Sequence, residues 1–254
     1  MKSILHSTHS HNTALITQNG KNISYNQLHS DMQRLNSALK ARSLIFIFGN
    51  NDYAVVRWYL TSLEYNHVVK LLPDTISINE LYKLLEIYQP RYLLCNTRLL
   101  ENISFPKNFS FAQIENLKAA DYYSNESYSI LQNKNEQPIL NESLAFLGST
   151  SGSTGTPKLV RLSKNNLISN AASIANYQNL NSDERAIAHL PLSYSFGLSI
   201  LNSHLYAGGS VVLSNDGLIA RKFWETIDIN YTERISSILD EAEGRRAKTR
   251  TYRY

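Results

Sequence analysis

The sequence predicts an α/β fold in which mainly parallel sheets are flanked by helices. Short apolar runs and amphipathic stretches alternate over the first 96 residues in the order strand, helix, strand, helix, strand. The run LIFIF at 44–48 is continuously apolar, as is typical of a strand buried on both faces of a parallel sheet. This alternation is the order of a wound α/β domain.

The elements follow one another along the chain. Two β-prone runs, at 14–17 and 23–25, flank an Asn-Gly turn and predict a hairpin. Apolar residues at helical spacing predict a helix over 26–40. The other predicted elements are a helix at 53–65, a strand at 67–72, a helix at 77–88 that opens on a Ser77–Glu80 capping box, a strand at 91–96, a strand from 144, a strand at 159–163 and a helix at 164–177. The polar stretch 101–142 is expected to form irregular surface structure.

Composition excludes several classes of protein. The net charge of +4 is mild and basic residues are dispersed over most of the chain, which argues against a nucleic-acid partner. Cys95 is the single cysteine, so we expect a buried, unpaired thiol in a reducing compartment. Residues 186–215 carry no charged side chain, but they include Pro191 and Gly208-Gly209, which favours buried core over a membrane span. The N-terminus lacks the apolar stretch of a signal peptide, so the expected location is the cytoplasm.

The segment GSTSGSTGTPK at 148–158 is the main functional candidate. A Gly/Ser/Thr linker is the simple alternative, but apolar β-like runs on both sides indicate a tight connection within one folded unit. Glycines allow backbone N–H groups to approach an anion, the hydroxyls add donors, and Lys158 adds a positive charge. The spacing matches neither the Walker pattern nor the dinucleotide fingerprint. The predicted phosphate-binding residues are Thr150, Ser151, Gly152, Ser153, Thr154, Gly155, Thr156 and Lys158.

The nine residues 150–158 resemble the signature loop of the adenylate-forming superfamily, which includes acyl-CoA synthetases, peptide-synthetase adenylation domains and luciferases. Leu159 stands where the family usually has glycine. A second stretch, LPLSYSFGLS at 190–199, resembles the family motif that lines the acyl-substrate pocket. There the predicted pocket residues are Tyr194, Phe196 and Gly197, whereas a packed core turn is the simpler alternative. The resemblance implies the N-terminal part of the family's large domain.

The resemblance also implies a chemistry. Such enzymes join a carboxylate to ATP, with Mg²⁺, and pass the acyl-adenylate to a thiol of coenzyme A or a carrier protein. An anionic carboxylate attacks an anionic triphosphate, so the step needs positioning and charge neutralisation. We expect 1–11 to be a flexible N-terminus, 12–227 a partial AMP-binding domain and 228–254 an atypical basic tail.

Several family motifs are absent from the 254 residues: the Tyr-Gly-x-Thr-Glu stretch, the ribose-binding aspartate and the C-terminal catalytic lysine. No catalytic residue and no metal ligand are therefore assigned, and we expect a truncated enzyme that is impaired alone. The tail 245–254 is rich in arginine and lysine. It is either foreign to the fold or a basic arm for an anionic partner, in which case the protein is a non-catalytic binding protein that reuses the fold.

Two further features are expected to have no function. His6, His9 and His11 suggest a metal site, but no carboxylate or cysteine accompanies them, which favours a flexible terminus. Asp52 and Glu64 have no partner in the sequence pattern and are expected to be solvated.

Overall fold

The computed structural model describes residues 3–5, 10–40, 42–97, 111–113, 128–133, 135–149, 159–217, 220–221 and 223–225. The chain divides into two compact units, Met1–Asn215 and Asp216–Tyr254. Every strand and helix named below lies in the first unit.

The larger sheet has seven strands in the order β6-β7-β5-β3-β4-β8-β9. Its four central strands, β5, β3, β4 and β8, run parallel, and antiparallel pairs form both edges. The strands are β3 (Leu44–Phe48), β4 (Val68–Leu72), β5 (Tyr92–Asn96), β6 (Phe111–Gln113), β7 (Tyr128–Asn133), β8 (Leu144–Ser149) and β9 (Leu159–Ser163). The predicted parallel arrangement is therefore confirmed for the centre of the sheet.

The smaller sheet has four strands in the order β10-β11-β1-β2. The predicted hairpin forms its β1–β2 edge, and the other two pairs are parallel. The strands are β1 (Thr13–Ile16), β2 (Asn22–Ser24), β10 (Arg185–Ala188) and β11 (Ser210–Leu213).

Helices cover both faces of the larger sheet. The helices are α1 (Tyr25–Ser37), α2 (Tyr53–Glu64), α3 (Ile78–Tyr88), α4 (Lys164–Gln178) and α5 (Ser195–Tyr206). Side chains of β3 alternate between two cores, because successive residues of a strand point to opposite faces. Ile45 and Ile47 pack with residues of α1, α2, α5 and the smaller sheet, whereas Phe46 and Phe48 pack with residues of α3. The continuously apolar run is thus explained by burial on both faces.

Several local expectations are confirmed. Ser77 caps α3 by accepting a hydrogen bond from the Glu80 backbone N–H at 3.2 Å, which is the Ser77 half of the predicted capping box. Cys95 is fully buried, and burial raises the pKa of its thiol to about 12. The uncharged stretch 186–215 contains β10, α5 and β11 and contributes to the core. None of the helices described by the structure is long and apolar enough to cross a membrane.

The stretch 101–142 differs from its prediction. Residues 128–133 form β7, which is mostly buried and pairs antiparallel with β5, and 111–113 form β6 beside it. The Asn-, Ser- and Tyr-rich composition conceals these strands, since their pairing depends on partners elsewhere in the chain.

Two carboxylates expected to be solvated have structural roles instead. Asp52 is buried and caps the N-terminus of α2 by accepting a hydrogen bond from Ala54 N–H at 3.0 Å. Glu64 accepts hydrogen bonds from the Ser3 hydroxyl at 2.8 Å and from Lys164 Nζ at 3.1 Å. The partners of Glu64, Ser3 and Lys164, are 61 and 100 positions away and become neighbours only when the chain folds. His6 and His9, as well as the tail from 226, lie outside the described residues.

Candidate functional site

The glycine-rich segment connects two paired strand ends. β8 and β9 are antiparallel, and Ser149 pairs with Leu159, so the nine residues 150–158 join adjacent ends of one hairpin. These nine residues lie outside the described part of the chain. The phosphate-binding roles of Thr150, Ser151, Gly152, Ser153, Thr154, Gly155, Thr156 and Lys158 therefore stay predictions.

The position of the β8–β9 hairpin in the larger sheet indicates a place for a ligand. β8 runs parallel to β4, which runs parallel to β3, so Ser149 lies at the carboxyl edge of the parallel strands. Open α/β sheets bind ligands at that edge. The segment 150–158 consequently begins where a ligand site is expected.

A buried lysine lies next to this point. Lys70 is the middle residue of β4 and only 1% exposed, and its Nζ donates a hydrogen bond to Ser149 Oγ at 2.5 Å. Burial lowers the pKa of Lys70 to about 8, a shift opposed by Glu80. Sequence reasoning missed Lys70, although a lysine within the apolar run HVVKLL is itself an unusual feature.

The second predicted motif is anchored to the same edge of the larger sheet by Asn51. This residue follows β3 and is buried. Its Nδ2 donates to the carbonyls of Ala188, Leu190 and Ser214 at 2.8, 2.9 and 3.2 Å, and its Oδ1 accepts from Leu192 N–H at 3.1 Å. One side chain thus fixes the segment that leads into Tyr194, a role that sequence reasoning missed.

The predicted pocket residues lie at the start of α5. Tyr194 is the N-cap residue and makes no side-chain capping bond, and it is 58% exposed. Phe196 is 63% exposed, so two aromatic side chains are available to a ligand. Gly197 is buried, and a Cβ there would lie 2.6 Å from the Leu190 carbonyl oxygen and 2.7 Å from that of Pro191. Only glycine permits this close approach of helix and loop.

The residues that hold the two motifs lie at the carboxyl ends of two parallel strands. Ser149 ends β8 and Asn51 follows β3, and β4 separates these two parallel strands. Two strand spacings correspond to roughly 10 Å. We call residues 150–158 the phosphate segment and residues 190–199 the aromatic segment. Ser149, which precedes the phosphate segment, and Asn51, which anchors the aromatic segment, lie at one edge of the larger sheet.

Comparison with known proteins identifies the family. The model of the family described as "AMP-binding enzyme" matches residues 6–233. The chain belongs to this family. The resemblance stated from the two motifs is therefore confirmed, as is the α/β fold of the N-terminal part of adenylate-forming enzymes.

A CoA ligase is among the similar proteins. The sulfoacetate–CoA ligase of Cupriavidus necator is 39% identical over 82 residues, which cover 32% of this chain and 16% of the ligase. Apo MatB from Rhodopseudomonas palustris superimposes with a TM-score of 0.65 at 20% identity, over 82% of this chain and 43% of MatB.

The second similar solved structure contains nucleotide. The o-succinylbenzoate CoA synthetase MenE of Bacillus subtilis, in complex with ATP and magnesium, superimposes with a TM-score of 0.66 at 21% identity. The superposition covers 90% of this chain and 62% of MenE. The chain thus spans less than two thirds of each of these proteins, and at this identity the two solved structures show the fold alone. The alternative of a non-catalytic binding protein finds no support in these relatives.

Proposed function

We propose that the chain binds ATP with Mg²⁺ and contributes to activating a carboxylate as an acyl-adenylate, for transfer to a thiol of coenzyme A or a carrier protein. The supporting observation is that Ser149 and Leu159, the residues on either side of 150–158, are paired strand ends at the carboxyl edge of the parallel strands. Family membership adds to it, since the family model spans this segment. A cytoplasmic location, where ATP and thiol acceptors are available, is part of the proposal.

The phosphate segment is assigned to the triphosphate. Backbone N–H groups at Gly152 and Gly155, with the neighbouring hydroxyls, donate hydrogen bonds to phosphate oxygens, because small residues let a ligand approach the main chain. Lys158 neutralises part of the negative charge. Mg²⁺, when bound with ATP, offsets more of it. This lowers the repulsion that an incoming carboxylate meets.

The aromatic segment is assigned to the carboxylate substrate. Tyr194 and Phe196 offer exposed rings at the N-terminus of α5, which is suited to the apolar part of an acyl group. Gly197 holds the helix against the Leu190–Pro191 backbone and so fixes the two rings. Within the proposal, the region 12–227 supplies both sets of contacts and 228–254 supplies none.

Calorimetric titration of the purified chain with Mg²⁺ and ATP tests the proposal. We expect saturable binding that weakens about 10-fold or more in Lys158→Ala, because a hydrogen bond to a charged group contributes about 1.5–3 kcal/mol. Lys83→Ala is the matched control, since it removes an exposed lysine on α3. The absence of ATP binding, or equal binding by Lys158→Ala and the wild type, would contradict the assignment.

Turnover is a separate question. The 254 residues contain neither the Tyr-Gly-x-Thr-Glu stretch nor the family's C-terminal catalytic lysine motif. We therefore expect a polypeptide of these residues alone to bind ATP without exchanging radiolabelled pyrophosphate into it. Exchange that depends on any added carboxylate would show that these residues suffice for adenylation.

A further inference from the structure

The ammonium group of Lys70 is a buried charge next to Ser149, the residue that precedes the phosphate segment. Lys70 is 1% exposed, whereas its acceptor Ser149 is exposed and is the last residue of β8. The two residues are 79 positions apart in sequence, and the Nζ–Oγ distance is 2.5 Å. The Lys70 ammonium group therefore lies within hydrogen-bonding distance of Ser149, the residue that precedes the segment 150–158.

This charge lacks a close counter-ion within the described part of the chain. No described carboxylate lies within 4.0 Å of Lys70 Nζ. Glu80 at the start of α3 interacts with it only at longer range. A buried cation without a close counter-ion is costly, and apolar side chains of similar volume are often at least as stabilising at such positions. The surroundings are apolar, since Val68 and Leu72 on the same face of β4 pack into the α3 core.

We infer that Lys70 is a second cation of the ATP site, whose positive charge at the Ser149 end of the phosphate segment is balanced by the polyphosphate of bound ATP. The inference rests on the proposed function and extends it, since the predicted site contained Lys158 as its only cation. Lys70 acts through its hydrogen bond to Ser149. Its positive charge interacts with the polyphosphate, so it raises the affinity for ligands with a polyphosphate more than the affinity for AMP.

The inference predicts opposite effects on stability and on binding. Lys70→Met keeps the length of the side chain and removes the buried charge. We expect the ligand-free variant to unfold at the same or a higher temperature than the wild type. We expect its affinity for Mg²⁺ and ATP to fall about 10-fold, because one nearby charge is lost from a poorly solvated site. Its affinity for AMP should change less than threefold.

The experiment compares four proteins by two measurements. Calorimetric titration uses three ligands in turn: ATP with Mg²⁺, AMP, and inorganic pyrophosphate. Thermal unfolding is followed without ligand. The four proteins are the wild type, Lys70→Met, Ser149→Ala and Lys83→Met. Lys83→Met removes an equal charge from the exposed surface of α3 and should change neither measurement. Ser149→Ala removes the exposed acceptor without touching the core, so it tests the same link should Lys70→Met fold poorly. We expect it to weaken ATP and pyrophosphate binding while AMP binding is retained.

Each alternative result has a distinct meaning. Unchanged ATP affinity in Lys70→Met and Ser149→Ala, with loss in Lys158→Ala, overturns the role of Lys70 and leaves the proposed function intact. A lower unfolding temperature in Lys70→Met, with equal weakening of ATP and AMP, overturns it in favour of a structural role. Failure of the wild type to bind ATP overturns the proposed function and this inference together.

Discussion

His67 is held in its neutral form by two hydrogen bonds. Its Nδ1 accepts from the Ser43 backbone N–H at 3.1 Å, which leaves Nε2 to donate to Asn36 Oδ1 at 3.1 Å. The ring is 2% exposed. Burial, and secondarily the Arg42 guanidinium, lowers the pKa of His67 from 6.5 to about 4. The residue joins the end of α1 to the start of β3, and a protonated ring would lose the acceptor that Ser43 requires.

This arrangement predicts a loss of stability in acid. Between pH 6.5 and about 4, the unfolded chain binds a proton at His67 that the folded chain does not, so the free energy of unfolding falls as the pH falls. The full effect is on the order of 3 kcal/mol. Urea unfolding at pH 7 and pH 4.5 should show a smaller drop for His67→Gln than for the wild type. His11→Gln, at an exposed position, is the control, and equal drops in all three proteins would refute the prediction.

Asn51 connects three elements through one amide. Its side chain links the turn after β3 to the segment after β10 and to the end of β11, and its backbone N–H donates to Asn215 Oδ1 at 2.8 Å. Hydrogen bonds of this kind replace direct strand pairing between the two sheets, which have no strand in common. The position of α5, and with it of Tyr194, follows from this connection.

Asn51→Ala should therefore destabilise the fold and loosen the segment before α5. Removing the amide takes away the donor to the buried Leu190 carbonyl and the acceptor of the Leu192 N–H, at a cost of about 2–4 kcal/mol in the free energy of unfolding. Urea unfolding measures the cost, and hydrogen exchange at the Leu192 amide reports the local loosening. Asn165→Ala, on the exposed face of α4, is the matched control. A loss below about 0.5 kcal/mol, with unchanged exchange, would show that packing alone holds the segment.

At the scale of the molecule, ligand binding and stability are linked. A ligand that binds only the folded chain raises the free energy of unfolding by about 2.7 kcal/mol at a hundred times its dissociation constant. For a chain of this size, that corresponds to a rise in unfolding temperature of about 5 °C or more. We expect this rise with Mg²⁺ and ATP, a smaller one when EDTA removes the metal, and about half the wild-type rise or less with Lys158→Ala at the same concentration, because a 10-fold weaker affinity leaves about 1.4 kcal/mol of stabilisation. Thermal unfolding followed by circular dichroism measures it, and an equal rise in Lys158→Ala would exclude the phosphate segment as its cause.

The local patterns of the chain were sufficient for much of the architecture. The apolar run of β3, the Ser77 cap and the helical spacing within α1 each depend on residues that are close in sequence, so their structure follows from short-range rules. The family is likewise encoded locally, in the adjacent residues 150–158. The predicted helix 26–40 extended three residues beyond the end of α1, which is at Ser37. Helix ends depend on capping contacts that spacing does not report.

By itself, the sequence determined the alternating α/β order, the buried central strands and membership of the AMP-binding enzyme family. The tertiary structure alone decided that residues 128–133, within a polar stretch of the chain, form a strand of the larger sheet, that Asn51 anchors the Tyr194 segment, and that Lys70 reaches Ser149. The physical reason is sequence distance. Asn51 and Ala188 are 137 positions apart, and Lys70 and Ser149 are 79 apart, so neither contact leaves a periodic or adjacent signal in the chain. Such pairs form only when the parallel strands bring their carboxyl ends to one edge.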